Sequence, residues 1–160
     1  MMLPFKQVSI LTSVLLILLI SGCGKEDVQP MEEAEVDENV QIINLRSVGD
    51  EMRFDTDEIR VKAGQPVRIV LINEATMDMM IHNVVIVSDG SSQEVGMAAV
   101  TEVESDYIPD HPDVLFASDL AGPGETVELE FNPPGPGTYE FVCTFPGHFS
   151  TMRGTFIVEE

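Results

Sequence analysis

A short segment near the C-terminus carries three side chains that can bind a metal ion. Cys143, His148 and Met152 have the spacing C-x4-H-x3-M, so one loop can direct a thiolate, an imidazole and a thioether at a single point. His82, far upstream in the chain, offers a second imidazole. Two imidazoles, one thiolate and a weakly bound thioether are the donors of a type 1 copper site. The sequence therefore predicts one mononuclear copper centre.

Each of these residue types also has an ordinary structural role. A lone histidine such as His82 is more often hydrogen-bonded or exposed, a methionine such as Met152 more often fills the core, and a cysteine such as Cys143 is more often an inert buried thiol. Their order within one short loop is what favours the copper interpretation. Because copper held in this way can alternate between Cu(I) and Cu(II), the sequence indicates a carrier of single electrons.

Motifs of multi-centre and catalytic metalloproteins are missing from the sequence. There is no Cys-x-x-Cys-His for covalent haem, no Cys-x3-Cys for a binuclear copper centre and no His-x-His pair. Thr144, and not a histidine, follows Cys143, and the third histidine, His111, lies in a predicted loop. We therefore expect one copper ion, electron transfer and no enzymatic activity.

The first 22 residues resemble a bacterial lipoprotein signal peptide. Lys6 precedes an apolar run over residues 8–20 that is short for a membrane span, and the four residues ending in Cys23 (ISGC) resemble a lipobox. An uncleaved membrane anchor is the alternative. Both interpretations put the domain outside the cytoplasm, and the first predicts lipidation of Cys23 and anchoring to a bacterial membrane, in the periplasm or at the cell surface. Cys143 is then left without a disulfide partner, which fits a metal ligand.

Acidic residues dominate the chain. It has 28 Asp and Glu against 8 Lys and Arg, a formal charge of −20, so we expect no nucleic-acid partner. The charge favours a basic partner protein or serves simple solubility. Residues 23–39, which begin with the predicted lipidated cysteine, are acidic and poor in apolar side chains, so we predict a flexible tether there. Residues 40–160 form the predicted folded domain.

From residue 40 onward the sequence is typical of an all-β domain. Alternating apolar and polar residues, clearest over residues 127–131 (VELEF), predict short strands separated by turns rich in Gly and Pro. The predicted strands cover residues 40–45, 59–62, 67–71, 82–87, 127–131, 138–143 and 155–158. Residues 96–105 are less β-like and predict a short helical flap. Many short strands of this kind indicate a β-sandwich or barrel.

The loop sequence CTFPGHFSTM resembles the ligand loop of azurins and auracyanins, which are members of the cupredoxin family. Supporting similarity at residues 52–56, 80–83, 96–98, 106–108 and 153–155 extends the resemblance over about residues 40–160. The resemblance implies a Greek-key β-sandwich with copper near one end. It also implies that His82, Cys143 and His148 are the equatorial copper ligands and that Met152 is the axial ligand.

The resemblance further assigns residues beside the ligands. Asn83 and Phe145 correspond to positions whose backbone N–H groups bond the cysteine sulfur, and the Asn83 side chain would join the two ligand loops. Ile81 replaces a glycine that in azurin brings a backbone carbonyl close to copper, so the sequence leaves open whether the carbonyl of residue 81 coordinates. The chain also departs from azurin in having no tryptophan and no cysteine pair left for a disulfide.

Cupredoxins exchange electrons through the exposed edge of their second histidine ligand, which by resemblance is His148. Apolar residues predicted around it would form a docking surface for redox partners. The residues of this predicted surface are Met79, Met80, Met97, Pro146 and Phe149. A core role is the alternative for them, and Met79 and Met80, as neighbours on a predicted strand, cannot both point inward. The expected partner is a cytochrome c or a respiratory or photosynthetic complex with a basic docking face.

Other functions are compatible with the same residues. A copper-holding or copper-delivery lipoprotein of the same fold is the main alternative, although such sites usually favour methionine and histidine over an enclosed thiolate. A zinc hydrolase would need a general base that the sequence does not offer, and methionine is a poor zinc ligand. A metal-free adhesion domain would leave Cys143 and its spacing unexplained.

Overall fold

The computed structural model describes residues 39–160. The strands in this range are β1 (Gln41–Arg46), β2 (Glu58–Lys62), β3 (Val67–Ile72), β4 (Val85–Ser88), β5 (Val114–Ala117), β6 (Thr126–Phe131), β7 (Gly137–Val142) and β8 (Arg153–Glu159). One helix, α1, covers Ser92–Ala99, and a 3₁₀ turn covers Val103–Ser105. Neither is long and apolar enough to cross a bilayer. Cys23, the predicted signal peptide and the predicted tether up to residue 38 lie outside the described residues.

The strands form two sheets. The smaller sheet has the order β1-β3-β6, and the larger has the order β2-β8-β7-β4-β5. β1 runs parallel to β3 and β2 runs parallel to β8, whereas all other paired strands are antiparallel. Most neighbours in a sheet are therefore distant in sequence. This arrangement confirms the predicted all-β sandwich with one short helix.

The core lies between the two sheets because each strand turns alternate side chains inward. In β6, Leu129 and Phe131 are buried while the glutamates between and beside them are exposed. One cluster joins these residues to Ile69 of β3 and to Phe141 and Phe156 of the larger sheet. Phe131 and Phe156 meet across the sheets with ring centroids 6.0 Å apart. Each buried side chain of this size stabilises the fold by about 1.5–3 kcal/mol, which makes the sandwich a firm support for the loops at its edges.

α1 packs against both the larger sheet and the segment that contains Cys143 and His148. Its Val95 packs in a second small cluster with valines of β4 and β7, and Phe149 covers that cluster. Gly96 faces the Phe149 ring, and a Cβ at position 96 would lie 2.3 Å from the ring's Cγ atom. A glycine is therefore needed there for the helix and the ligand loop to approach this closely.

The structure corrects three of the predicted elements. β4 begins at Val85, so His82 lies in a loop and not in the predicted strand over residues 82–87; it forms only an isolated bridge with Ala121. The helix precedes most of the predicted flap over residues 96–105, and only the 3₁₀ turn falls in its later part. β5 is an additional strand, whose four residues are all half-buried and so lack the alternation that predicts strands.

Candidate metal centre

Three of the predicted ligands meet at one point inside the protein. The Nδ1 atoms of His82 and His148 are 3.2 Å apart, and the Cys143 Sγ atom lies 3.8 and 3.7 Å from them, respectively. All three residues are buried. The centre of this triangle is about 2 Å from each corner, which is the length of metal bonds to nitrogen and sulfur ligands. The donor set and its spacing therefore fit a single bound ion.

The sheet explains why these distant residues meet. β4 and β7 are antiparallel neighbours, with Val85 opposite Val142. The loop that precedes β4 and the loop that follows β7 consequently lie at the same edge of the sheet. His82 belongs to the first loop, and Cys143 is the first residue of the second.

Backbone hydrogen bonds hold the second loop, residues 143–152, in a closed form. The N–H of Cys143 donates to the Met152 carbonyl at 2.9 Å, the N–H of Met152 donates to the His148 carbonyl at 2.9 Å, and the N–H of His148 donates to the Phe145 carbonyl at 3.0 Å. Gly147 has a φ of 88°, a conformation that side chains with a Cβ disfavour. These contacts fix the direction in which the loop presents His148.

Asn73, a buried asparagine that belongs to no recognisable sequence motif, fixes the first loop. The Asn73 side chain donates from Nδ2 to the Met80 carbonyl at 2.7 Å and to the Ala121 carbonyl at 2.9 Å. Ala121 in turn exchanges two backbone hydrogen bonds with His82, of 3.0 and 2.7 Å. Asn73 is thus the hub that positions His82. A polar residue directly after an apolar strand was the one signal in the sequence, and it does not reveal burial.

Asn83 joins the two loops. Its Nδ2 donates to the Thr144 hydroxyl at 2.8 Å, and its Oδ1 accepts the Thr144 backbone N–H at 2.8 Å. The backbone N–H groups of Asn83 and Phe145 donate to the Cys143 sulfur. Hydrogen bonds of this kind withdraw electron density from a sulfur ligand and restrain its position.

Burial keeps the three donors neutral before a metal binds. Loss of hydration raises the pKa of the Cys143 thiol to about 11, an effect that the two N–H bonds from Asn83 and Phe145 partly oppose. Burial, and secondarily the charge of His148, lowers the pKa of His82 to about 4, and burial also lowers the pKa of His148. The imidazoles are therefore ready to bind metal at neutral pH, whereas the thiol must release its proton on binding. His82 Nε2 finds no hydrogen-bond partner within residues 39–160.

Met152 and Ile81 flank the three donors. Met152 is fully buried, and its backbone bonds to both Cys143 and His148. Ile81 is half-buried and directly precedes His82. Axial ligation by Met152 and the part played by the Ile81 carbonyl stay predictions. His111 lies apart from the site, and its Nε2 atom approaches Glu94 at 3.7 Å.

An open cavity of about 540 Å³ leads to His148. Its lining residues are Asp50, Met52, Met77, Met79, Met80, Phe145, Pro146 and His148. Met79 is 68% exposed and Met80 only 6%, so one of the two points inward and the other outward. Met97 is exposed on α1, and Phe149 is half-buried against that helix. The structure thus divides the predicted docking residues between the cavity and the helix.

Aromatic contacts extend outward from His148. The Phe145 and His148 rings have centroids 5.1 Å apart, and the Tyr107 ring meets Phe145 edge-on at 5.0 Å. Tyr107 and the preceding Asp106 both have positive φ angles, 61° and 53°. Two adjacent non-glycine residues in this region are strained, and such strain persists only where the surroundings impose it. Tyr107 therefore supports the site by packing against Phe145. In the sequence, only the similarity of residues 106–108 to azurins pointed to this region.

Comparisons with known proteins agree with this geometry. Residues 41–159 match the family described as "Copper binding proteins, plastocyanin/azurin family". Auracyanin-A of Chloroflexus aurantiacus is 35% identical over 72% of this chain and 73% of its own length. Outer membrane protein H.8 of Neisseria meningitidis serogroup B is 36% identical over 66% of this chain, which spans 61% of that protein. The solved structure of auracyanin A, described as a "blue" copper protein, superimposes with a TM-score of 0.69 at 33% identity, covering 75% of this chain and 99% of that one.

The family match covers nearly all of the described residues, and the three buried donors are ligand types that bind copper. No enzymatic family is among these matches. The chain belongs to the plastocyanin/azurin family of cupredoxins, which bind copper and transfer electrons.

Proposed function

We propose that this protein is a mononuclear type 1 copper carrier that passes single electrons between redox partners at the outer surface of a bacterial membrane. His82, Cys143 and His148 are its equatorial ligands, and Met152 is its axial ligand. Bound copper supplies the chemistry by alternating between Cu(I) and Cu(II). The convergence of the three buried donors within 4.8 Å of one another is the observation that carries the proposal.

The surroundings of the ligands suit a site that changes shape little when the copper changes oxidation state. The loop of His82 is anchored through Asn73, and the loop of Cys143 is joined to it through Asn83 and Thr144. The Cys143 sulfur is buried and is restrained by two backbone N–H groups. Rigid, preorganised surroundings lower the cost of rearrangement during electron transfer. This arrangement supports an electron carrier over a site that must open to release its metal.

Visible absorption tests the copper assignment. Addition of Cu(II) to the metal-free protein is expected to produce an intense blue or green band from thiolate-to-copper charge transfer. Cys143→Ser should abolish the band while leaving the far-ultraviolet circular dichroism of the sandwich unchanged. Retention of the band in that variant, or a colourless copper complex of the unaltered protein, would contradict the assignment.

Electrons pass through His148 in this proposal, and the apolar cavity around it receives the partner. The chain has many more acidic than basic residues. Four arginines of the described residues each form an ion pair with a glutamate, so they leave little unpaired positive charge on the surface. These arginines are Arg46, Arg53, Arg60 and Arg68. The remaining excess of negative charge supports a partner with a basic docking face, such as a cytochrome c or a membrane redox complex.

A charge placed at the cavity tests the docking surface. Met79→Lys should slow electron exchange with a basic cytochrome c about tenfold, equivalent to about 1.4 kcal/mol, because it puts a positive charge on the apolar contact surface opposite a basic face. Val103→Lys is the matched control, because Val103 is 62% exposed but does not line the cavity. Met80 is unsuitable for this test since it is nearly buried. Equal rates for the two variants would refute docking at the cavity.

The inference of membrane attachment rests on the ISGC segment at residues 20–23, and the inference of an extended tether rests on the acidic residues that follow it. We infer that residues 1–22 are removed, that Cys23 becomes lipidated, and that residues 23–39 hold the domain off the membrane. The name of the Neisseria relative, outer membrane protein H.8, supports this location. Mass spectrometry of the mature N-terminus tests it: a diacylglyceryl group is expected on Cys23, and an intact Met1 would refute cleavage.

A further inference from the structure

The three buried donors can be reached through the apolar cavity. Cys143 and His82 have no exposed surface, and His148 is 5% exposed. His148 is also the one donor of the three that lines the cavity of about 540 Å³. Among the described residues, the wall of this cavity is therefore what an incoming copper ion meets first. A metal site in a rigid fold needs such a path of entry.

Four methionines line the wall of this cavity. Met52, Met77 and Met79 are 46%, 47% and 68% exposed, and Met80 is nearly buried. Thioethers are soft ligands that bind Cu(I) and have little affinity for hard cations. The side chain is also flexible, so several sulfurs can adjust around one ion. Three exposed thioethers beside His148 thus offer a donor set of a different kind from the buried site.

Hydrogen bonds hold the methionine backbones in place around the cavity. Asp50 Oδ1 accepts the N–H groups of Thr76 and Met77, and its Oδ2 accepts the Thr76 hydroxyl, so the Asp50 carboxylate joins the two segments that bear Met52 and Met77. These bonds lower the pKa of Asp50. The carboxylate is thus committed to the backbone, which leaves sulfur as the characteristic donor of the wall.

One of these segments is joined to the loop that carries His148, because the Thr151 hydroxyl donates to the Met52 carbonyl at 2.9 Å. The Met77 segment is joined to it indirectly, through Asp50. Within that segment the Met80 N–H donates to the Met77 carbonyl at 2.9 Å. These bonds hold the backbones of the methionine segments beside the His148 loop.

We propose that Met52, Met77 and Met79 form a Cu(I)-binding site at the mouth of the cavity, which captures the ion and delivers it to His148 and Cys143. The inference rests on the copper function proposed above. The transfer involves no oxidation: Cu(I) leaves the thioethers, and Cys143 binds it as a thiolate after releasing its thiol proton to solvent.

Silver binding to the copper-loaded, reduced protein tests the proposal, because Ag(I) is a redox-inert ion with the ligand preferences of Cu(I). One equivalent of Ag(I) is expected to bind while the copper content stays constant. The methyl NMR signals of Met52, Met77 and Met79 should shift, and that of Met97, exposed on α1, should not. Met→Leu replacement at the three positions should abolish the binding, whereas Met97→Leu should retain it. Leucine keeps the apolar volume, so loss of partner docking cannot explain the result.

Loading kinetics provide a second measurement. Metal-free protein with the three Met→Leu replacements should take up Cu(I) from a weak donor complex at least tenfold more slowly than the Met97→Leu control. Absence of silver binding, equal shifts at Met97 and Met79, or equal loading rates would overturn the thioether site. Silver binding to the wall can also be measured in Cys143→Ser, so failure of the thioether site and failure of the buried copper site are distinguishable.

Discussion

Replacement of Asn83 by alanine is the change that most directly tests how the two ligand loops are joined. Asn83 and Thr144 are both fully buried, and two hydrogen bonds of 2.8 Å connect them. Asn83→Ala leaves the Thr144 backbone N–H without its acceptor and the Thr144 hydroxyl without its donor. No solvent reaches either group to compensate.

The expected loss follows from these two bonds. A buried donor left unpaired costs about 1–3 kcal/mol, and the net worth of the hydroxyl bond is about 0.5–1.5 kcal/mol. Asn83→Ala should therefore lower the free energy of unfolding of the metal-free protein by about 2–4 kcal/mol. This is a large share of the total stability of a domain of this size.

Urea unfolding of the metal-free protein, followed by circular dichroism, measures this loss. A double-mutant cycle with Thr144→Val isolates the bond between the two side chains, because that change removes the hydroxyl and keeps the backbone N–H. The coupling energy should be about 1 kcal/mol. A loss under about 0.5 kcal/mol for Asn83→Ala, or no coupling in the cycle, would refute the role assigned to Asn83.

Three further predictions concern protonation, backbone space and the aromatic contacts. The pKa of His82 is about 4 in the folded protein and about 6.5 in the unfolded chain, so protons bind the unfolded chain preferentially below pH 6.5. The metal-free protein should therefore lose about 2 kcal/mol of unfolding free energy between pH 7.5 and 5, as measured by urea titration at each pH. Gly154→Ala should cost about 1–3 kcal/mol in thermal unfolding, since the added Cβ would lie 2.4 Å from a phenylalanine ring and 2.5 Å from a backbone carbonyl. Tyr107→Ala should lower the reduction potential by about 20–40 mV in voltammetry, because a less restrained Phe145 weakens its N–H bond to the sulfur by about 0.5–1 kcal/mol.

Matched variants decide each of these predictions. His82→Gln should show a weaker pH dependence than the unaltered protein, and an identical dependence would contradict the assignment to His82. Gly135→Ala should leave the thermal stability unchanged, because no atom lies within 4 Å of its added Cβ. If Gly154→Ala has no larger effect than Gly135→Ala, the crowding inferred around Gly154 is contradicted. Tyr107→Phe keeps the ring and should keep the potential, so equal potentials for the alanine and phenylalanine variants would exclude the ring contact as the cause.

The ligand loop could be predicted from the sequence because its donors are close together in the chain. Cys143 and His148 fall in one turn-rich segment, where their spacing has few structural explanations. Strands could also be predicted where one face is buried and the other exposed. In residues 127–131, exposed glutamates alternate with the core residues Leu129 and Phe131.

Features that depend on packing between distant segments could not be predicted. Asn73 is an ordinary polar residue in the sequence, and only the folded chain shows it buried beneath the loop of His82. His82 lies outside β4 because its backbone bonds to Ala121. The alternation of apolar and polar residues near His82 cannot reveal so distant a partner. Likewise, Gly96 weakens the sequence signal for α1, while the Phe149 ring against it explains why the helix tolerates a glycine.

The parallel pairing of β2 with β8 has a consequence for how the protein folds. These strands lie at opposite ends of the domain sequence: Arg60 and Glu159, which form an ion pair at 3.0 Å, are 99 positions apart. Such pairing is slow, because a long stretch of chain must be ordered before any contact compensates for the lost entropy. Since β8 directly follows the ligand loop, we expect the ion-binding triangle to close only after this pairing has formed. Copper should therefore slow unfolding far more than it accelerates folding, and the lifetime of the native state depends on the ion.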